Sequence, residues 1–177
     1  MRESGTIEVI LVDQNDNQIG AMEKIAAHQN GATLHRAFSV FVFNSKGETL
    51  LQRRALSKYH TPGRWSNTCC SHPYVGESDS DAAHRRLKEE MGFDCDLKEV
   101  FSFIYRTPVE KGLTEHEFDH VFFGRYDGKV TPDPKEVMDY KWIGLEARRD
   151  AIRSEPDNYT PWLPIALDEI KAKGVRS

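Results

Sequence analysis

A single α+β domain spanning residues 1–177 is the fold class that the sequence predicts. Three observations carry it: β-branched runs bounded by turn residues, two segments with apolar residues at helical spacing, and no repeat or linker-like tract. Ile7 to Asp13 reads as a strand turned by Gln14-Asn15-Asp16-Asn17. Ala37 to Phe43 reads as a buried strand, and Asn44-Ser45-Lys46-Gly47 as a hairpin leading into Thr49 to Gln52. Tyr59 to Trp65, with Pro62 and Gly63, is loop, and the polar, Pro-flanked stretch Asn67 to Pro73 continues it. Ser78-Asp79-Ser80-Asp81 offers N-caps for a helix that turns Ala82, Ala83, Leu87 and Met91 inward and stops at Gly92. Strands follow at Val100 to Arg106, Glu117 to Tyr126 and Tyr140 to Ile143. A last helix runs from Pro161 to Lys173.

Composition narrows the function. Apolar residues make up 38% and charged residues 29%, which suits a globular chain with a real core. The net charge of -4 disfavours wholesale nucleic-acid binding. No apolar run approaches the roughly 20 residues of a membrane span, and Met1 to Asn15 lacks a signal-peptide pattern. Three cysteines, two of them adjacent, form no disulfide framework, so a reducing, cytoplasmic compartment is expected.

Chemistry concentrates in Cys69-Cys70-Ser71-His72. A buried cysteine is usually a small core hydrophobe, but Cys70 has His72 and Ser71 beside it. A nearby cation would lower its thiol pKa and make it an acid, base or nucleophile. Cys69 points elsewhere, since adjacent side chains cannot both face one site, and Cys95 is structural. His28 and His35 flank a break at Asn30-Gly31. Glu115 and Glu117 share one face of an extended segment, and parallel carboxylates repel unless a cation or proton lies between them. Three imidazoles with two carboxylates would suit Zn, Mn or Fe rather than an all-oxygen Mg site. Lys24, Arg53, Arg54 and Lys58 are either a solvated face or the wall of an anion pocket. Trp65, Tyr105 and Trp162 are core aromatics unless they line that pocket, where their faces would stabilise a cation.

Glu77, Arg85, Glu89, Glu90 and Gly92 match much of the Nudix box, Gly-x5-Glu-x7-Arg-Glu-U-x-Glu-Glu-x-Gly-U. The segment reads as a helix from Glu77 to Phe93, and glutamates at Glu77 and along one side of that helix would bind Mg beside a diphosphate. Ordinary i,i+4 pairs, Arg85 to Glu89 and Arg86 to Glu90, give the helix a plain structural alternative. Two positions depart from the box: Ser71 stands at the leading Gly, and Arg86 replaces the Glu of Arg-Glu.

The ordered matches extend further. They include Glu23-Lys24 with His28, Leu34 to Ser39, Arg53 to Lys58, Trp65 to Thr68, Cys70 with His72-Pro73, Glu115-x-Glu117, Glu136 to Tyr140 and Pro161-Trp162. On these the chain resembles type I isopentenyl-diphosphate isomerases over almost its whole length. The resemblance implies a Nudix-type α/β/α sandwich with a mixed sheet. It implies interconversion of isopentenyl and dimethylallyl diphosphate, a small-molecule substrate with no nucleic-acid or membrane partner. A Zn or Mn ion would sit on His28, His35, His72, Glu115 and Glu117. A Mg ion would bridge the diphosphate to Glu90 and the Cys70 carbonyl. Lys24, Arg54, Lys58 and Arg86 would hold the diphosphate, and Trp162 would cover the hydrocarbon. Cys70 and Glu117 would be the acid/base pair, with Tyr105 beside Glu117.

Two rivals make different demands. A Nudix hydrolase of a nucleoside diphosphate derivative needs the carboxylate that Arg86 replaces. A non-catalytic module with a structural zinc needs Cys70 and His72 joined by a second cysteine or histidine pair.

Overall fold

The computed structural model describes residues 7–176; the first six residues of the Met1 to Asn15 stretch lie outside it. Among the described residues, nine strands form one mixed sheet. They are β1 (Glu8–Val12), β2 (Gln18–Glu23), β3 (His35–Phe43), β4 (Thr49–Arg54), β5 (Trp65–Ser66), β6 (Cys69–Ser71), β7 (Leu97–Pro108), β8 (Thr114–Arg125) and β9 (Val137–Ile143). The α-helices are α1 (Lys24–His28), α2 (Asp79–Met91), α3 (Leu145–Ser154) and α4 (Trp162–Ala172).

Strand β3 organises the sheet. Along one edge it pairs in parallel with β8, from His35 opposite Glu117 to Phe43 opposite Arg125. Its other edge meets three partners in turn: β1 at His35, β6 at Phe38 to Val40, and β4 at Phe43. Side chains alternate across a strand, so β3 presents two distinct faces. Phe38, Val40 and Val42 pack with Leu87 and Met91 of α2. Phe41 and Phe43 pack with Leu163 and Ala166 of α4 and with Ala151 of α3. Helices therefore cover both faces, as an α/β/α sandwich requires. His35, Ala37 and Ser39 continue the Phe41 face beyond its apolar cluster, and that end of the sheet carries the polar site.

Helix α2 is fixed at both ends. The Ser78 hydroxyl accepts a bond from the Asp81 N–H at 3.1 Å, and Asp79 and Asp81 occupy the first turn. Gly92 closes the helix with φ of 73°, and a Cβ there would lie 2.0 Å from the Thr131 carbonyl oxygen, so no other residue fits. Leu87 is fully buried in its cluster. Leu87→Ala is expected to cost about 2–5 kcal/mol of stability, read as a lower urea midpoint with unchanged slope.

The structure corrects several expectations. Cys69 to Ser71 is not loop; it forms strand β6 against β3. Glu77 precedes α2 rather than belonging to it. Strand β2 and helices α1 and α3 had no signal in the sequence pattern. Among the described residues, no helix is long and apolar enough to cross a membrane.

Candidate active site

Five side chains converge at the polar end of the sheet. His28 ends α1, which is capped by the Glu23 carboxylate accepting the Ile25 and Ala26 N–H groups at 3.0 and 2.8 Å. His35 opens β3, His72 follows β6, and Glu115 and Glu117 share one face of β8. Their ligand atoms all lie within 4.8 Å of one another, and all five side chains are buried.

The hydrogen bonds around this cluster show what it lacks. His28 Nδ1 lies 2.6 Å from the Lys24 carbonyl, and His35 Nδ1 lies 2.8 Å from the Thr33 carbonyl. A carbonyl can only accept, so both Nδ1 atoms carry protons, and each ring in its neutral form turns a lone pair inward from Nε2. Those lone pairs meet other acceptors: His28 Nε2 is 2.8 Å from Glu115 Oε2, and His35 Nε2 is 3.2 Å from His72 Nε2. His72 Nε2 is also 3.0 Å from Glu117 Oε1, while its buried Nδ1 has no partner. Converging acceptors call for a central cation or extra protons, and backbone-oriented imidazoles are the usual support of a metal ligand. Burial, with Lys24 and His35 adding to it, pushes the His72 pKa well down, which favours the neutral ligand form. The donor set fits a divalent ion.

Beside the cluster lies a thiol. Cys70 is paired with Ser39 on β3 and lines a chamber with Glu117, Tyr105 and Trp162. Burial pushes its thiol up to about 12, against the opposing pull of the Arg54 charge, so the protein holds it protonated. Burial would also raise Glu117, but the nearby His35 imidazole and the hydrogen bond from the Tyr105 hydroxyl reverse the sign and hold the carboxyl below its usual range. Tyr105 Oη donates to Glu117 Oε2 at 2.7 Å. The chamber therefore holds a protonated thiol and an ionised carboxylate, on strands at opposite edges of β3.

The chamber is small, about 60 Å³, and opens to an outer cleft of about 350 Å³ whose wall includes Lys24, Lys58, Arg86 and Glu136. Arg54 reaches the chamber, donates to the His60 carbonyl at 3.2 Å, and leaves its buried Nε without a partner. Lys24 is pushed down by burial more than Glu115 raises it. Cations left short of counter-charge fit an anion. Arg86 donates to Glu90 Oε1 at 2.6 Å, and Gln52 donates to Glu90 Oε2 at 2.7 Å. Lys58 pairs with Glu136.

Residues 33–163 match the family model for the NUDIX domain. The chain is 55% identical over 163 residues to "Isopentenyl-diphosphate Delta-isomerase 2" of Aromatoleum aromaticum, covering 92% of this chain and 86% of that one. It is 51% identical over 160 residues to "Isopentenyl-diphosphate Delta-isomerase" of Burkholderia multivorans, covering 90% of each. The chain belongs to the isopentenyl-diphosphate Delta-isomerase family. In fold it is similar to a crystal structure from Deinococcus radiodurans, with a TM-score of 0.75, 19% identity, and 92% of this chain and 98% of that one covered. The MutT protein of Methanosarcina mazei gives a TM-score of 0.65 at 18% identity, covering 81% and 96%.

For a member of the isopentenyl-diphosphate Delta-isomerase family, the site is notable for what it gathers and what it leaves out. Cys70, Glu90, Tyr105, Glu117, Trp162 and the four cations Lys24, Arg54, Lys58 and Arg86 all line one chamber. Cys69 turns to the opposite face and sits in the core. Cys95 packs against that same core. Trp65 and Arg53 do not reach the chamber: Trp65 packs against the α4 side of the sheet, and Arg53 donates to the Gly63 carbonyl at 2.9 Å. Glu77 is gripped by Arg85 through two bonds of 2.7 and 2.8 Å and does not line the chamber. Among the described residues, the metal-capable cluster is three histidines and two glutamates, without the second cysteine or histidine pair of a closed zinc module.

Two chamber residues escaped the sequence pattern. His60 Nε2 lies 3.2 Å from Glu115 Oε1, and its ring stands edge-on to Trp162 with centroids 5.7 Å apart. Tyr59 lies under Lys24, with the ammonium 5.3 Å from the ring centroid. Both sit in a loop bent by Thr61 at φ of 46°, and nothing in their spacing marks them.

Proposed function

We propose that this chain interconverts isopentenyl diphosphate and dimethylallyl diphosphate for isoprenoid synthesis. The observation that supports it most is the thiol of Cys70 and the carboxylate of Glu117, on strands flanking β3, lining one buried chamber. The names of the relatives supply the substrate.

An isolated alkene is a weak base, and its protonation leaves a tertiary carbocation that water would capture. The two proton-transfer groups must therefore act on the five-carbon skeleton where water is excluded. One member of the Cys70/Glu117 pair adds a proton to the terminal methylene, and positive charge develops at C3. The other removes a proton from C2, and the new double bond forms between C2 and C3. The reverse reaction exchanges their roles. Tyr105 keeps Glu117 oriented, and the indole of Trp162 stabilises the cation with its face. Lys24, Arg54, Lys58 and Arg86 hold the diphosphate, which anchors the skeleton. His28, His35, His72, Glu115 and Glu117 would hold a Zn or Mn ion. Glu90 and the Cys70 carbonyl would hold Mg together with the diphosphate. Bound there, these ions supply positive charge beside Glu117 and the phosphate oxygens.

Hydrolysis of a nucleoside diphosphate derivative is disfavoured by Arg86. Where the box has a carboxylate, this side chain is a cation paired with Glu90.

Proton NMR of isopentenyl diphosphate in heavy water, with protein, Mg and Mn or Zn, tests the reading. Loss of the vinyl signal, dimethylallyl signals and deuterium entry without phosphate release are expected. Release of phosphate from a nucleotide panel with unchanged isopentenyl diphosphate would replace it with the hydrolase. Chelation should remove more than about 90% of turnover and leave the far-ultraviolet circular dichroism unchanged, because neither apolar cluster uses the metal-binding side chains. Loss of helix signal on chelation would instead make the ion structural.

A further inference from the structure

A second cavity, of about 510 Å³, opens between α3 and α4, with a contiguous hollow of about 440 Å³ reaching down to the sheet. Its floor is Phe41, Phe43 and Phe123, and Leu145, Leu167 and Ile170 line both parts. Arg148 stands at the seam. It is 6% exposed, donates from Nη1 to Thr49 Oγ1 at 2.6 Å, and leaves Nε with no partner. No carboxylate among the described residues pairs with it. Burial, with the charge of Arg149 added, pushes its pKa down, as expected for a cation without a counter-ion.

The rim repeats the sign. Arg149, Arg153, Lys171 and Arg176 line it against one carboxylate, Asp168. Arg149 has an exposed pair with Glu146 at 3.0 Å, and Arg153 is 4.0 Å from Asp150; water and salt weaken both. A buried, unpaired guanidinium above an aromatic floor suits one chemistry, an anionic head on an apolar tail. The clustered cations favour a dianion.

We propose that the groove between α3 and α4 binds an alkyl or prenyl phosphate, with its head on Arg148 and its chain over Phe41, Phe43 and Phe123. The site is separate from the chamber of Cys70 and does not depend on the isomerase reading.

Calorimetric titration of the full chain with decyl phosphate, below its micelle concentration, tests this. The wild type and Arg54→Gln, which weakens the chamber, should bind equally and saturably. Arg148→Gln should weaken binding by about tenfold or more, the scale of one charge-assisted hydrogen bond. Inorganic phosphate and decanol, each carrying half of the chemistry, should bind about tenfold more weakly still than decyl phosphate binds the wild type. The exposed double variant Arg149→Glu/Arg153→Glu keeps the test open should Arg148→Gln fail to fold, and should weaken binding by about threefold or more. Unsaturable binding, binding lost in Arg54→Gln, or binding indifferent to both groove variants would overturn the proposal.

Discussion

Cys70→Ala is expected to lower turnover by roughly 10³-fold or more, the scale of a positioned acid or base at an otherwise inert carbon. The fold should not notice. Cys70 belongs to β6 through its backbone, paired with Ser39, and its side chain faces the chamber rather than the α2 core that holds Cys69. Losing one sulfur atom there removes the proposed proton-transfer group and little packing. Kinetics by NMR together with thermal melting check both halves. Turnover within tenfold of wild type would take Cys70 out of the chemistry.

Glu117→Gln should be at least as severe, about 10⁴-fold in turnover, because one carboxylate serves two purposes. It accepts the Tyr105 hydrogen bond, which orients it for the proposed proton transfer, and it stands in the cluster that could hold a metal ion. The amide cannot take up a proton and is a weaker ligand. Metal affinity should fall by about 10–100-fold, a loss that even outer partners of a ligand can cause. Elemental analysis of the purified variant separates the two effects. Activity restored by excess metal would make Glu117 a ligand alone; inactivity at full occupancy would assign it the proton.

Regular patterns made part of this molecule readable from sequence. Glu115 and Glu117 announce a shared face by their spacing, and the structure buries both on one side of β8. The apolar positions of α2 and its Gly92 stop were equally plain. Short elements were not. Helix α1 has five residues, too few to be helical by itself, and depends on the Glu23 cap. Strand β6 has three residues and exists because β3 offers them an edge. Helix α3 carries little apolar signal, and its buried residue is an arginine. His60 enters the site through a loop bend set by Thr61, a conformation that no periodicity encodes.

The odd and even positions of β3 do different jobs: His35, Ala37 and Ser39 belong to the chamber side, Phe38, Val40 and Val42 to the α2 core. A one-residue insertion or deletion inside residues 35–43 would exchange the two sets at once, burying the imidazole in the core and turning phenylalanine toward the substrate. This segment can therefore drift by substitution during evolution but not by single-residue changes in length. Length variation in descendants of this gene should gather in the turns at residues 14–17 and 44–47.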